Sequence, residues 1–151
     1  MKIYETKVEA GTKQWLKIPV DEECSLKAAA FCGSRPGKRL IVTAGVHGCE
    51  YIGILAVSRL IQELDPRQMK GEVVFLPIAN EGGFYKEIKQ LVPEDGVNLN
   101  RAFPGTEMGS RSAKIAAAVE TYLYPDADFL GELHSGDIHE RGGPFAFVPV
   151  A

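Results

Sequence analysis

Arg39-Leu40-Ile41-Val42-Thr43-Ala44-Gly45-Val46-His47-Gly48-Cys49-Glu50 decides the fold class. Residues 39 to 44 form an apolar, β-branched run of the kind that is buried in a parallel or mixed sheet. Glycines break the run, and a helix-periodic stretch follows from Ile52 to Leu64. His47 and Glu50 therefore stand at the carboxyl end of a strand, the edge at which open α/β sheets bind ligands. An imidazole and a carboxylate three residues apart are half of a zinc site. With a second, distant histidine they make the ligand set of hydrolytic zinc centres that keep one coordination position open.

The chain has three histidines. Asp128-Phe129-Leu130-Gly131-Glu132-Leu133-His134-Ser135-Gly136 again ends a short apolar strand in a polar turn, so His134 is the expected third ligand. Either histidine alone reads as an ordinary hydrogen-bonded residue. Two strand ends that both carry histidine, one with Glu at the third position, read as a metal centre. His139 has no strand behind it and is expected in solvent. Strand alternation puts Glu132 on the face of His134, which suits a carboxylate that orients that ligand. Cys49 is read as a small residue beside the site.

The remaining segments alternate strand and helix. Lys2 to Glu9 and Gln14 to Pro19, separated by Gly11, are expected to pair as a hairpin. Leu26 to Cys32 is a strand ended by the turn Gly33-Ser34-Arg35-Pro36-Gly37. Asp65-Pro66 stops the first helix, and Glu72 to Ile78 is another buried strand. Asn80, at the exit of that strand, is read either as lining the site or as capping the turn. Ser110 is expected to cap a helix reaching about Tyr124, with Ala113, Ile115, Ala116, Ala117, Val119 and Leu123 on its apolar side. Pro144 to Val150 reads as a last strand entering the sheet. The pattern is an α/β fold, a three-layer sandwich with a twisted, mainly parallel mixed sheet, in one domain over residues 1–151.

From Phe84 to Gly109 runs a segment longer than connections usually are unless they carry function. Within it, Asp95-Gly96-Val97-Asn98-Leu99-Asn100-Arg101-Ala102-Phe103-Pro104-Gly105 is too polar for a strand, and its guanidinium is a planar fork suited to a carboxylate. Taken in order, His47-Gly48-Cys49-Glu50, Asn98 to Gly105 and Leu133-His134-Ser135-Gly136 resemble the succinylglutamate desuccinylase/aspartoacylase family of the zinc carboxypeptidase superfamily, from about Leu26 onward. The resemblance implies that His47, Glu50 and His134 hold Zn2+ and that Asn100 and Arg101 bind a substrate carboxylate. It further implies hydrolysis of an amide bond next to that carboxylate, as in an N-acyl amino acid deacylase. A carboxypeptidase-type metallopeptidase and a non-catalytic metal- or ligand-binding domain stand as alternatives.

Two departures accompany the resemblance. The family's second arginine falls at Gln90, and the adjacent Lys89 offers charge without the fork. The superfamily's general base, a glutamate on a strand well after the last ligand, has no counterpart before Ala151, and Glu140 is only a weak substitute. The chain is accordingly expected to be the amino-terminal portion of a catalytic domain, incomplete at its carboxyl end.

Composition narrows the partners. Lys and Arg number 17 against 20 Asp and Glu, and both signs are scattered, which argues against a nucleic-acid surface and favours a small polar or anionic substrate. No apolar run approaches membrane-spanning length, and Met1 to Thr6 lacks the apolar core of a signal peptide. Cys24, Cys32 and Cys49 are odd in number and form no paired motif, which points to free thiols in a reducing, cytoplasmic setting. Self-association is left open.

Overall fold

In the computed structural model, which describes residues 1–144 and 146, the apolar runs pair into one five-stranded sheet. Two short strands, β1 (Lys2–Ile3) and β2 (Thr6–Lys7), precede β3 (Thr12–Pro19), β4 (Ser25–Cys32), β5 (Arg35–Ala44) and β6 (Lys70–Leu76). The short strands β7 (Leu91–Val92) and β8 (Val97–Asn98) come before β9 (Phe129–Leu133). The sheet order is β3-β4-β6-β5-β9. β5 runs parallel to both of its neighbours, β6 and β9, whereas β4 is antiparallel to β3 and to β6. The sheet is mixed, and its parallel part is the part that ends in the histidines.

Among the described residues, three α-helices flank it: α1 (Tyr51–Glu63), the single-turn α2 (Glu81–Tyr85) and α3 (Arg111–Tyr122). On one face α1 buries Ile54, Val57 and Ile61 against Phe31, Val42, Ala44, Val73 and Phe75. On the other, α3 buries Ile115, Ala116, Ala118 and Val119 against Ala28, Ala30, Ile41, Val74 and Leu76. Neighbours in one strand, such as Ile41 and Val42 or Val73 and Val74, go to opposite clusters because successive side chains leave a pleated strand on opposite sides. Each such burial of a branched side chain contributes roughly 1.5–3 kcal/mol. The result is the expected three-layer sandwich. No helix among the described residues is long and apolar enough to cross a membrane.

Three expectations are corrected. Residues 2–9 do not form a hairpin with β3: they fold on themselves as β1 and β2, turning at Tyr4 with φ of 49°, while β3 pairs along its whole length with β4. The pairing of β3 is a long-range choice fixed by burial of Leu16 and Ile18, which local spacing does not encode. The turn after β4 is shorter than Gly33 to Gly37, because Arg35 already pairs with Lys70 across an irregularity in the ladder. Ser110 is the residue before α3, but its hydroxyl does not cap the helix. Asp95 does so instead, accepting the Ser112 backbone N–H at 2.7 Å and the Ser112 hydroxyl at 2.6 Å. A carboxylate at a helix amino end satisfies an orphan donor and opposes the helix dipole. The expected strand from Pro144 to Val150 lies, beyond its first residues, outside the described residues.

Candidate metal centre

Register brings the two strand ends together. Ala44 of β5 is the lateral partner of Leu133 of β9, so His47 and His134 leave neighbouring parallel strands at the same edge of the sheet. Glu50 directly precedes α1, yet its side chain makes no capping bond to the helix. Two close approaches hold this corner. A Cβ on Gly48 would lie 2.2 Å from the Gly83 carbonyl carbon, and one on Gly53 would lie 2.8 Å from the Leu133 carbonyl oxygen. Only glycine lets α2 reach the His47 loop and α1 reach the strand that carries His134.

One carboxylate joins the two histidines. Glu50 Oε1 is 2.7 Å from His47 Nδ1, and Oε2 is 2.7 Å from His134 Nδ1. Oε2 also accepts the Ser135 backbone N–H at 3.0 Å. One ligand atom from each of the three residues lies within 4.8 Å of the others, so the group could hold a metal ion. Both remaining imidazole nitrogens have acceptors. Asn98 Oδ1 receives the Asn100 backbone N–H at 2.9 Å, which identifies that atom as the oxygen, so His47 Nε2, 3.1 Å away, must donate to it. Likewise His134 Nε2 donates to Glu132 Oε1 at 2.6 Å. With protons fixed on both Nε2 atoms, each histidine turns Nδ1 toward the shared carboxylate, where its lone pair becomes available once the position is deprotonated.

Burial raises the Glu50 carboxyl, but hydrogen bonds from His134, His47 and the Ser135 N–H outweigh it and bring it down to about 2. His134 moves the other way: its bonds to Glu132 and then Glu50 outweigh burial and raise it to about 10. Glu132 thus orients His134, as strand alternation suggested.

The polar loop reaches the same edge. β7 and β8 pair around the Asp95-Gly96 turn, and the Asn80 side chain ties β7 to the end of β6 by donating to the Leu91 carbonyl at 3.1 Å. Asn80 also accepts the Gly83 N–H, so it is a capping residue of α2. The next turn, residues 99–101, is pinned by Leu99, fully buried beneath α3. Asn100 is half-buried in this turn, and Arg101 is exposed, with its Nη1 donating to the Asn100 carbonyl. Sequence reasoning placed Asn100 and Arg101 near the site but missed Asn98, the residue in contact with His47. Its one local signal is the Asn-Leu-Asn spacing, which suits an Asx turn.

Other candidates are engaged elsewhere. Lys89 pairs with Asp137 at 2.7 Å and Glu140 at 3.3 Å, and this holds its ammonium above the usual lysine range. Gln90 and His139 are exposed. Glu140, the acid weighed as a substitute base, is thereby bound to Lys89. Cys49 is fully buried beside the centre.

Residues 36–150 match the family model described as succinylglutamate desuccinylase/aspartoacylase catalytic domain. The chain is 35% identical over 127 residues to N-alpha-acetyl-L-2,4-diaminobutyric acid deacetylase of Halomonas elongata, covering 81% of this chain and 37% of that protein. Among solved structures, an aspartoacylase family protein of Mesorhizobium loti superposes with a TM-score of 0.71 at 34% identity, covering 82% of this chain and 40% of that one. The product-bound ectoine utilization protein EutE (DoeB) of Ruegeria pomeroyi gives 0.70 at 27% identity, covering 83% and 40%. The chain spans about two fifths of the length of these relatives.

Proposed function

The chain belongs to the succinylglutamate desuccinylase/aspartoacylase family, and from that premise we propose that it carries the metal centre and carboxylate clamp of a zinc-dependent amidohydrolase. His47 and His134, through Nδ1, and Glu50 are the ligands; two imidazoles and a carboxylate suit zinc, a borderline-soft ion. When bound, the metal supplies Lewis acidity to a scissile carbonyl and to the attacking water. Asn98 and Glu132 hold the histidines in the tautomer that faces it. The observation that carries this reading is the convergence of both Nδ1 atoms on one carboxylate while both Nε2 atoms are held by acceptors.

Arg101 makes no ion pair among the described residues, and its guanidinium is open to receive a substrate carboxylate with Asn100 beside it. The bond cleaved is the amide next to that carboxylate. The similarity to a deacetylase of an acetylated diamino acid favours a small N-acyl amino acid over a peptide. We place residues 1–151 in one domain of a larger catalytic unit, which supplies the general base. The three cysteines are free thiols, in keeping with a reducing, cytoplasmic setting.

The test is hydrolysis of N-acetyl amino acids by the zinc-loaded whole protein, compared with the Arg101→Lys variant. Loss of the two-pronged contact should cost ~2–4 kcal/mol in catalytic efficiency, as for a desolvated charged pair. An effect within twofold on every carboxylate-bearing substrate would show that Arg101 is not the clamp.

A further inference from the structure

We propose that Asn98 is a positioning residue that ties the substrate-recognition turn to the metal centre, because one oxygen serves both. Asn98 Oδ1 accepts the Nε2 proton of His47 and the backbone N–H of Asn100. The first bond fixes the ring orientation of a ligand, and the second closes the turn that presents Asn100 and Arg101. Neither group can shift without disturbing the acceptor of the other.

The surroundings leave Asn98 little freedom. It ends β8, whose partner β7 is held by Asn80, and Asp95 anchors the intervening turn to the start of α3. On its other side Leu99 is locked in the core. His47 is itself buried, so Nε2 would have to surrender a hydrogen bond to turn away. Loading the metal on the Nδ1 side of His47 therefore stiffens the Asn98 to Arg101 turn, and an ordered turn in return favours the ligand geometry. This inference rests on the proposed metal ligands, and its test separates the two.

Zinc affinity is measured by competition with a chromophoric chelator, and backbone hydrogen exchange of residues 99–102 is followed with and without zinc. Asn98→Ala should weaken zinc by about 10–100-fold, the usual effect of removing a histidine ligand's hydrogen-bond partner. It should also abolish the slowing of Asn100 exchange that zinc produces in the wild type. Asn98→Asp, which keeps the acceptor oxygen, should restore zinc affinity to at least the wild-type level and recover the slowing; this variant keeps the test valid should Asn98→Ala fold poorly. Asn98→Asp binding as weakly as Asn98→Ala, or Asn98→Ala retaining both affinity within threefold and zinc-dependent protection, overturns the coupling while leaving the metal reading intact. A wild-type chain that takes up no zinc overturns both.

Discussion

His47 and His134 reach the same carboxylate from different surroundings. The His47 side chain is about 10% exposed and its second partner is a neutral amide oxygen on another loop. The His134 side chain is 35% exposed and its second partner is a carboxylate two residues back on its own strand. One histidine is held by enclosure and by a distant part of the chain. The other is held by charge and by local alternation. Enclosure makes a ligand hard to replace, whereas charge makes it sensitive to protons.

The harshest way to break this contrast is to remove each ring. His47→Gly and His134→Gly should both lose stoichiometric zinc, because an open centre with two protein ligands no longer matches the donor set. They should differ in rescue. Exogenous imidazole can enter the solvent-open space left by His134, whereas the gap left by His47 is enclosed. Zinc content measured across an imidazole titration should recover for His134→Gly alone. Equal rescue of both variants would show that the difference in exposure has no bearing on the centre.

A smaller effect comes from the glycines behind each histidine. Gly48→Ala would drive a methyl into the backbone of α2 beside His47, and Gly53→Val would push α1 off the Leu133 carbonyl beside His134. Overpacking of this kind costs about 1–3 kcal/mol, more than the ~0.5 kcal/mol of helix propensity that valine gains over glycine at position 53. Both variants should unfold at lower urea concentration. Zinc affinity should fall further in Gly53→Val, where the shift separates Glu50 from His134, than in distant core variants of equal stability. A stability loss with unchanged affinity would mean that the corner tolerates the displacement.

The same contrast explains what the sequence made legible. β5, β6, α1 and α3 carry their burial in local periodicity, and His47, Glu50 and His134 stand at strand ends, where a sheet binds ligands. Glu132 could be placed from alternation because it lies two residues from its partner. Asn98 lies 51 residues from His47, and Asp95 lies 17 from the helix end it caps, so no spacing rule could pair them. Lys89 was read as a spare charge beside Gln90, but Asp137 and Glu140, distant in sequence, claim it. The hairpin expected between residues 2–9 and β3 failed for the same reason, since β4 offered the longer ladder. Local rules reached the His47, Glu50 and His134 cluster and Glu132 beside it, and missed Asn98, the partner that a distant loop supplies.

Proton competition provides a milder test. His134 is raised to about 10 in the cluster, so zinc bound as proposed would displace its Nδ1 proton at neutral pH. Zinc affinity should then climb by about tenfold per pH unit on account of this one group until the pH nears 10. Glu132→Gln removes the largest cause of the raised value, so its profile should level off at lower pH. Competition titrations from pH 6 to 10 check this, and superimposable profiles would show that Glu132 does not set the proton affinity of His134.

The smallest expected effect is on the stability of the metal-free chain, and there the two signs oppose. His134 is raised from 6.5 to about 10 on folding, so its contribution is fully present below pH 6.5 and is lost as pH rises through about 10. Glu50 is lowered from 4.5 to about 2, so its contribution is present above pH 4.5 and is lost as pH falls through about 2. The cluster should stabilise the chelator-treated protein most between pH 4.5 and 6.5. Because a third of the His134 side chain meets water, screening holds its share to under about 1 kcal/mol, or roughly 2–4 °C in Tm for a chain of this size. Thermal melts in chelator between pH 5 and 10 should show the alkaline decline in the wild type and a shallower one in Glu132→Gln. A wild-type melting temperature that is flat from pH 6.5 to 10 would show that His134 is held by packing, as His47 is, and the contrast between the two strand ends would fail.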